Sequence, residues 1–354
     1  MDNNRRGDGS TSVKTANGLK EVAALAGVGL ATASAVLNNS RSNTRVSEAT
    51  RQRILAAAKE LRYHPNALAR ALAGQPTKTI GILFGLERVT VAVANPYVFA
   101  VLQGIIAAAA AAGYNITLYT EPWHNAAVSA GPMRDRRTDG VVLIAVPTDA
   151  DVVPSLVELD VPIVGISSAC ERHGVANVDV DNAVGARMAT EHLLGLGHRR
   201  IAHLKGDDTL ENANQRHDAF RAALSAAGLR EPEEYMLHGS YEAASGFERT
   251  LRLLRTPTPP TAIFAANDVL ADAAIKAARS IGVSVPTQLS VVGFDDIPLP
   301  DQATPPLTTI RQPLAAIGSA ATNILIGQMT GQPSEALPRL FAPELIVRQS
   351  TAPP

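Results

Sequence analysis

The chain has a single cysteine, Cys170, among its 354 residues. One cysteine excludes a disulfide framework and any zinc site built on several thiolates, and it suits a reducing compartment. The first 17 residues have no apolar core of the kind that a secretory signal peptide needs. Long apolar runs are also absent, because the alanine stretch 107–112 is far shorter than the roughly 18 residues of a membrane span. The sequence therefore predicts a cytoplasmic protein with no membrane partner.

Common catalytic signatures are absent as well. The chain has no GxxxxGK[ST] phosphate-binding loop and no GxSxG nucleophile elbow, and its cysteine lacks the usual surroundings of a nucleophile. His192 and His198, near Glu191, come closest to a metal-ligand group, and we interpret them as structural. We therefore predict no catalytic residue, no metal site and no cofactor, and we expect a protein that is not an enzyme.

Charge is distributed unevenly along the chain. Residues 1–78 hold 12 Lys and Arg against 5 Asp and Glu, whereas the remainder holds 20 against 28. The length predicts more than one domain, so a basic first segment is attached to an acidic body. This arrangement favours a first segment that binds a polyanion, with a merely solvated charged tail as the alternative.

The basic segment is patterned as helices only. The stretch KEVAALAGVGLATASAVLNN, residues 20–39, predicts two short helices with a turn at Gly27. A helix-turn-helix needs such a tight turn to project its second helix into a major groove. The second helix is predicted over 30–37, where Thr32 and Ser34 are able to hydrogen-bond phosphates. Ser47 is predicted to cap a third helix. An ordinary helical hairpin is the alternative.

From Thr79 onward, short apolar runs alternate with helical stretches. The runs are TIGILFG, NITLYT, GVVLIAVP, PIVGIS, RIAHLKG, AIFAAND and LSVVGFDD. Alternation of strand and helix predicts parallel sheets covered on both faces, arranged as two α/β lobes. In open α/β sheets ligands bind outside the carboxyl ends of the strands, where the sequence places Ser167, Asn267 and Asp295.

Several motifs in one register resemble the lactose/galactose-repressor family of bacterial regulators. They include VAALAGVGLATASAVLN, VSEATRQRILAAAKELRYHPNALARAL, VDNAVGARMATEHLLGLGHRRIAHLKG and AIFAANDVLADAAIKAARSIGVSVPTQLSVVGFDD. The resemblance implies an α/β protein with an N-terminal all-α helix-turn-helix head and a two-lobed, periplasmic-binding-protein-like body with parallel sheets. The expected parts are a disordered tail (1–17), the head (18–64), a hinge helix and linker (65–78), and an effector-binding and dimerisation domain (79–354). Within that domain the first lobe is expected at about 79–178 and 311–338, and the second at about 179–310 and 339–354.

The resemblance also implies a function. It predicts a homodimeric transcriptional regulator, expected to repress, that binds a pseudo-palindromic operator in double-stranded DNA. A small effector, expected to be a sugar or glycoside, would bind between the lobes and set the affinity for DNA. Carried over by position, the DNA-binding residues are Leu30, Ala31, Thr32, Ser34, Ala35, Asn38 and Ser47 in the head, and Asn66, Ala69, Arg70 and Leu72 in the hinge, with Leu72 as the minor-groove wedge. The effector-binding residues are Tyr97, Ser167, Asn212, Arg216, Tyr241, Asn267 and Asp295.

Three positions depart from the family pattern. Many relatives have an arginine that can read guanine where this chain has Ala35, which offers only a methyl contact. Gly29 replaces the usual serine, and Ser167 replaces an aspartate that many relatives carry. The operator sequence and the effector are therefore not carried over, and shape readout through the hinge is a hypothesis for part of the specificity.

Other functions and other assemblies stay open at this point. A solute-binding protein of a transport system would share the body, but it would need a signal peptide and no helical head. An α/β-type enzyme is the least favoured interpretation. The sequence leaves open whether the effector induces or corepresses. It shows no leucine heptad after Arg348, which favours a dimer over a tetramer.

Overall fold

The computed structural model describes residues 18–37, 46–63, 75–85, 95–299, 305–332 and 339–354. Contacts within the chain divide it into two compact units, Met1–Thr77 and Lys78–Pro354. The predicted hinge helix lies outside the described residues, and so do five of the predicted DNA-binding residues: Asn38, Asn66, Ala69, Arg70 and Leu72.

The first unit contains three described helices: α1 (Leu19–Ala26), α2 (Leu30–Leu37) and α3 (Glu48–Glu60). Helix α1 ends at Gly27, whose φ of 65° lies in the left-handed region that glycine adopts without strain. The Val28 N–H donates to the Ala23 carbonyl at 3.0 Å, which closes the end of the helix. The chain turns there, so that α1 and α2 are bent by 106° relative to each other.

A small apolar core holds these three helices together. Its buried members are Val22, Ala23, Ala26, Ala33, Val36, Ile54, Ala57 and Ala58. Alanines dominate this core, which lets short helices approach closely but buries little apolar area per residue. Helix caps add stability at two points: Glu21 accepts from the Gly18 N–H at 2.8 Å, and Ser47 accepts from the Thr50 N–H at 3.2 Å.

The second unit is built on two sheets. The first sheet has the strand order β10-β5-β4-β3-β1-β2 and is parallel throughout. The second sheet has the order β11-β9-β8-β7-β6, in which only β11 runs antiparallel to its neighbour. The strands are β1 (Thr79–Phe84), β2 (Asn115–Leu118), β3 (Gly140–Ile144), β4 (Ile163–Ile166), β5 (Asn177–Val180), β6 (Ile201–Leu204), β7 (Ala262–Ala265), β8 (Ser290–Asp295), β9 (Thr308–Arg311), β10 (Arg339–Phe341) and β11 (Glu344–Ile346).

Helices cover both sheets, as the alternating pattern predicted. They are α4 (Pro96–Ala111), α5 (Ala126–Ser129), α6 (Gly131–Arg134), α7 (Val152–Glu158), α8 (Asn182–Gly195), α9 (Glu211–Ala226), α10 (Ala243–Leu254), α11 (Asp268–Ser280) and α12 (Leu314–Met329). Helices α4 and α12 touch through their backbones. A Cβ atom at Gly104 would lie 1.9 Å from the Ala315 carbonyl oxygen, and one at Gly318 would lie 2.2 Å from that of Val101. None of the described helices is by itself long and apolar enough to span a membrane; α1 and α2 meet that requirement only as a bent pair.

Within the described ranges the chain crosses between the two sheets three times. It crosses at Asp181 after β5, at Gln312–Pro313 after β9, and at Ala342–Pro343 after β10. The sequence placed the last change of lobe at about residue 339, but β10 pairs with β5 of the first sheet, so the change follows Phe341. The difference arises because β10 has three residues, too few to show as an apolar run.

Candidate functional site

Helix α2 presents a neutral outer face. Ala33 and Val36 point into the head core, whereas Leu30 is 52% exposed and Ala31 is also exposed. The other residues predicted to contact DNA on this helix, Thr32, Ser34 and Ala35, are partly buried. The helix contains no acidic residue that would repel phosphates.

Ser47 is placed at the start of α3. Its Oγ accepts the Thr50 N–H at 3.2 Å and lies 2.9 Å from the Thr50 hydroxyl. The predicted cap is confirmed, so any contact of this hydroxyl with DNA would be made by a group already held in place by the helix.

In the first lobe, a hydrogen-bonded row joins the partly buried Tyr97 to the buried Ser167 and Asp179. The Ser167 hydroxyl donates to Asp179 Oδ1 at 2.8 Å and lies 2.7 Å from the Tyr97 hydroxyl. Because a serine has one hydroxyl proton, and that proton goes to Asp179, the Tyr97 hydroxyl is the donor toward Ser167. Asp179 is 5% exposed.

In the second lobe, Asn182 and Arg216 continue this row. The Asn182 side-chain nitrogen donates to Asp179 Oδ2 at 3.1 Å, and Arg216 Nε donates to Asn182 Oδ1 at 2.9 Å. The guanidinium also donates to the Ala266 carbonyl and lies 3.7 Å above the centre of the Phe294 ring. Stacking on an aromatic face stabilises a cation that is 2% exposed.

The remaining predicted effector residues lie on elements of the second lobe. Asp295 is the last residue of β8 and has a φ of 128°, and its Oδ1 accepts from the side-chain nitrogen of Gln312 at 2.6 Å. Asn267 follows β7 and caps α11. The Tyr241 hydroxyl donates to Asn212 Oδ1 at 3.1 Å.

Burial decides the protonation of this site. It raises the pKa of Asp179 to about 6, against the opposing effects of the Ser167 hydrogen bond and the Arg216 charge. It raises the pKa of Asp295 well above the usual range, with Arg216 opposing and Asp268 adding to the rise. The pKa of Tyr97 is raised by burial, with Asp179 and then Asp295 adding, so its phenol is a hydrogen-bond donor at neutral pH. The site therefore offers both donors and acceptors to a ligand.

Sequence reasoning missed four members of this arrangement: Asp179, Asn182, Gln312 and Phe294. The one signal that could have revealed Asp179 is its position in NVDV, a polar residue inside a strand whose four residues are all buried. Asp181 caps helix α8, since its side chain accepts from the Val184 N–H at 2.9 Å.

A pocket of about 260 Å³ adjoins the row on its other side. Asp179 and Asn182 line it together with Glu171, Asp181, Glu211 and Gln215, among others. Asp179 and Asn182 therefore belong both to the row and to the lining of this pocket.

Comparison with known proteins identifies families that share the sequence of the head and of the body. The description "Bacterial regulatory proteins, lacI family" matches residues 18–66, and "Periplasmic binding protein-like domain" matches residues 190–351. The HTH-type transcriptional regulator CelR of Thermobifida fusca is 33% identical over 335 residues, which cover 94% of this chain and 97% of CelR.

Two solved structures share the fold. A CelR–cellobiose complex has a TM-score of 0.72 at 32% identity, covering 94% of this chain and 99% of the other. The lac repressor dimer bound to operator and an anti-inducer has a TM-score of 0.79 at 27% identity, and the match covers 96% of this chain and 100% of the lac repressor chain. The predicted fold class and family resemblance are confirmed, and the relatives are transcriptional regulators rather than enzymes. The chain belongs to the lacI family of bacterial regulatory proteins.

Proposed function

We propose that this regulator is a cytoplasmic homodimeric repressor whose affinity for a pseudo-palindromic operator is set by a sugar or glycoside bound between its lobes. The proposal rests on a chain of hydrogen bonds that brings together donors and acceptors from both lobes. In the first lobe, Tyr97 and Ser167 lead to Asp179. Asp179 accepts from Asn182 of the second lobe, and Asn182 accepts from Arg216. A ligand rich in hydroxyl groups matches such a mixed set, because each hydroxyl both donates and accepts. The relative solved with cellobiose supports this class of ligand.

The head is proposed as the DNA-reading part. The exposed Leu30 and Ala31 open α2, and Thr32, Ser34 and Ala35 follow on the same helix. We assign the first two and Ala35 to the major groove and the hydroxyl residues, with Asn38 and Ser47, to phosphates. The hinge residues Asn66, Ala69, Arg70 and Leu72 are proposed for the operator centre. The lac repressor structure, a dimer on its operator, supports this assignment and the homodimer.

The DNA part is tested by selection of short random duplexes on the full chain at two salt concentrations, followed by sequencing. Enrichment of a pseudo-palindrome at both concentrations is expected; retention that is only non-specific and vanishes at the higher salt contradicts the proposal. The selected duplex then serves for variants. Ala31→Asp should weaken binding by about tenfold or more, because a carboxylate would face the DNA. Ala56→Asp, which changes an exposed alanine on α3, is the matched control.

The effector part is tested by thermal shift of the full chain with a panel of sugars that includes cellobiose. For a sugar that raises the melting temperature, Tyr241→Phe should weaken binding by about tenfold, since it removes one hydroxyl beside Asn212. Tyr235→Phe removes a buried hydroxyl of the same lobe that donates to the Thr258 carbonyl, and it should leave binding unchanged. Equal losses in both variants would contradict the site.

A further inference from the structure

Asp179 is one point at which hydrogen bonds join the two lobes; the Thr148 N–H, which donates to the Thr209 carbonyl at 2.8 Å, is another. Asp179 Oδ1 holds Ser167 of the first lobe, and Oδ2 holds Asn182 of the second. Oδ1 also accepts the N–H of Val180, which fixes the carboxylate against its own strand. Asp179 lies two residues before the crossover at Asp181, so it belongs to the first sheet but reaches across to the second lobe.

Both neighbours of this carboxylate hold a residue proposed for the effector. Ser167 accepts from the Tyr97 hydroxyl, and Asn182 accepts from Arg216 Nε. The positions of a phenol in one lobe and a guanidinium in the other are thus set by one side chain. Two links separate Tyr97 from Asp179, and two separate Arg216 from it.

Charged and titratable groups face Asp179 from several elements. On the cleft side they are Tyr97 of α4, Arg216 of α9, Tyr241 and Asp295; on the pocket side they are Glu171, Asp181 and Glu211. Asp179 and Asn182 line a pocket, whereas the two lobes share an apolar core built from other residues, among them Val180 and Phe294. The hydrogen bonds of Asp179 add to that packing.

We propose that Asp179 is a positioning residue that holds the two lobes in register, so that Tyr97 and Arg216 present a single site. The role of Tyr97 and Arg216 in that site rests on the proposed function; the joint between the lobes does not. Asp179 need not touch the effector, since it acts through Ser167 and Asn182.

Another contact between the lobes provides a comparison. Arg172 of the first lobe pairs with Glu211 of the second, but the arginine side chain is 56% exposed. Exposed ion pairs are screened by water and contribute little, whereas a buried acceptor whose partner is lost is left unpaired. Breaking the Asp179 link should therefore loosen the lobes, and breaking the Arg172 pair should not.

The experiment measures the distance between the lobes in the full chain without DNA or effector. Val128→Cys in the first lobe and Met236→Cys in the second replace exposed residues, and the native Cys170 is buried. Spin labels at the two introduced cysteines report the distribution of interlobe distances. We expect Asp179→Ala and Asn182→Ala each to raise the population outside the native distance about tenfold. The double variant should add nothing further, because both changes break the same link.

Arg172→Gln is the matched control and should leave the distribution unchanged. A distribution that is unchanged in a folded Asp179→Ala chain would overturn the proposal, and so would additive effects in the double variant. If Asp179→Ala does not fold, Asp179→Asn is measured, since it keeps the side-chain shape but loses an acceptor. Selection of DNA duplexes is measured separately. A chain that selects no operator would refute the proposed function, but it would leave the proposed role of Asp179 between the lobes unaffected.

Discussion

Replacing Asp179 by Asn should remove a pH dependence from the stability of the body. Burial raises the pKa of Asp179 from 3.8 to about 6, so the folded chain holds this proton more tightly than the unfolded chain does. Stability from this group is therefore fully present below pH 3.8 and is lost as the pH rises through 6. The difference between a pKa of 3.8 and one of about 6 corresponds to about 3 kcal/mol, of which about 2 kcal/mol is lost as the pH rises from 4 to 7.5.

The assay is the difference in unfolding free energy between the native chain and Asp179→Asn, measured at closely spaced pH values in one denaturant. Titrating groups that do not interact with Asp179 cancel in that difference, because both proteins share them. As the pH falls from 7.5 to 4, the unfolding free energy of the native chain should rise by about 2 kcal/mol relative to that of the variant. The lost acceptor adds an offset of about 1 kcal/mol that does not change with pH. A difference that stays flat over this range would refute the reasoning.

Three further changes give separate tests. Gly104→Ala should lower the unfolding free energy by about 3 kcal/mol or more, because its Cβ would overlap the Ala315 backbone. Gly195→Ala has open space around its Cβ and should raise the unfolding free energy by up to about 1 kcal/mol. Thermal melts compare the two variants. Glu231→Gln should stabilise the chain increasingly as the pH rises from 4.5 to above 7, because burial raises the pKa of Glu231 from 4.5 to about 7 and the native stability from this group is lost over that window. Melts should show little gain at pH 4.5 and a gain of about 3 kcal/mol at pH 8.5. Ser47→Ala should cost the head about 1 kcal/mol through loss of the α3 cap, which denaturation of a chain ending at residue 77 would detect if that unit folds alone.

Most of the strands that the sequence predicted are covered on both faces; β2, at a sheet edge and partly exposed, is the exception. Runs such as GVVLI and AIFA are apolar at every position because helices lie on both sides of the sheet, and they became β3 and β7. β5 was missed because polar residues alternate with valines in NVDV. The burial of Asp179 could not be foreseen, because one of its hydrogen-bond partners, Asn182, belongs to the other lobe. β10 and β11 lie at sheet edges and have three residues each, too few for an apolar pattern to be recognised in the sequence.

The candidate site divides in a similar way. The strand-end rule led to Ser167, Asn267 and Asp295 because it concerns local sequence order. Arg216 and Tyr97 came from the resemblance, since nothing in the neighbouring residues separates them from ordinary helix positions. Asn182 and Gln312 were not foreseen because their hydrogen bonds join residues of different elements, 34 positions apart for Arg216 and Asn182 and 17 for Gln312 and Asp295.

The late position of β10 bears on how the chain is synthesised. In the described residues the first sheet gains its β5 edge partner only when Arg339–Phe341 pairs with β5. The head, contained in Met1–Thr77, is synthesised long before that strand and can fold first. The edge of β5 stays unpaired while residues 181–338 are synthesised, and Asp179 within it places a charge on the strand during that interval. The same carboxylate that joins the finished lobes would thus also keep the unfinished sheet from pairing with another nascent chain.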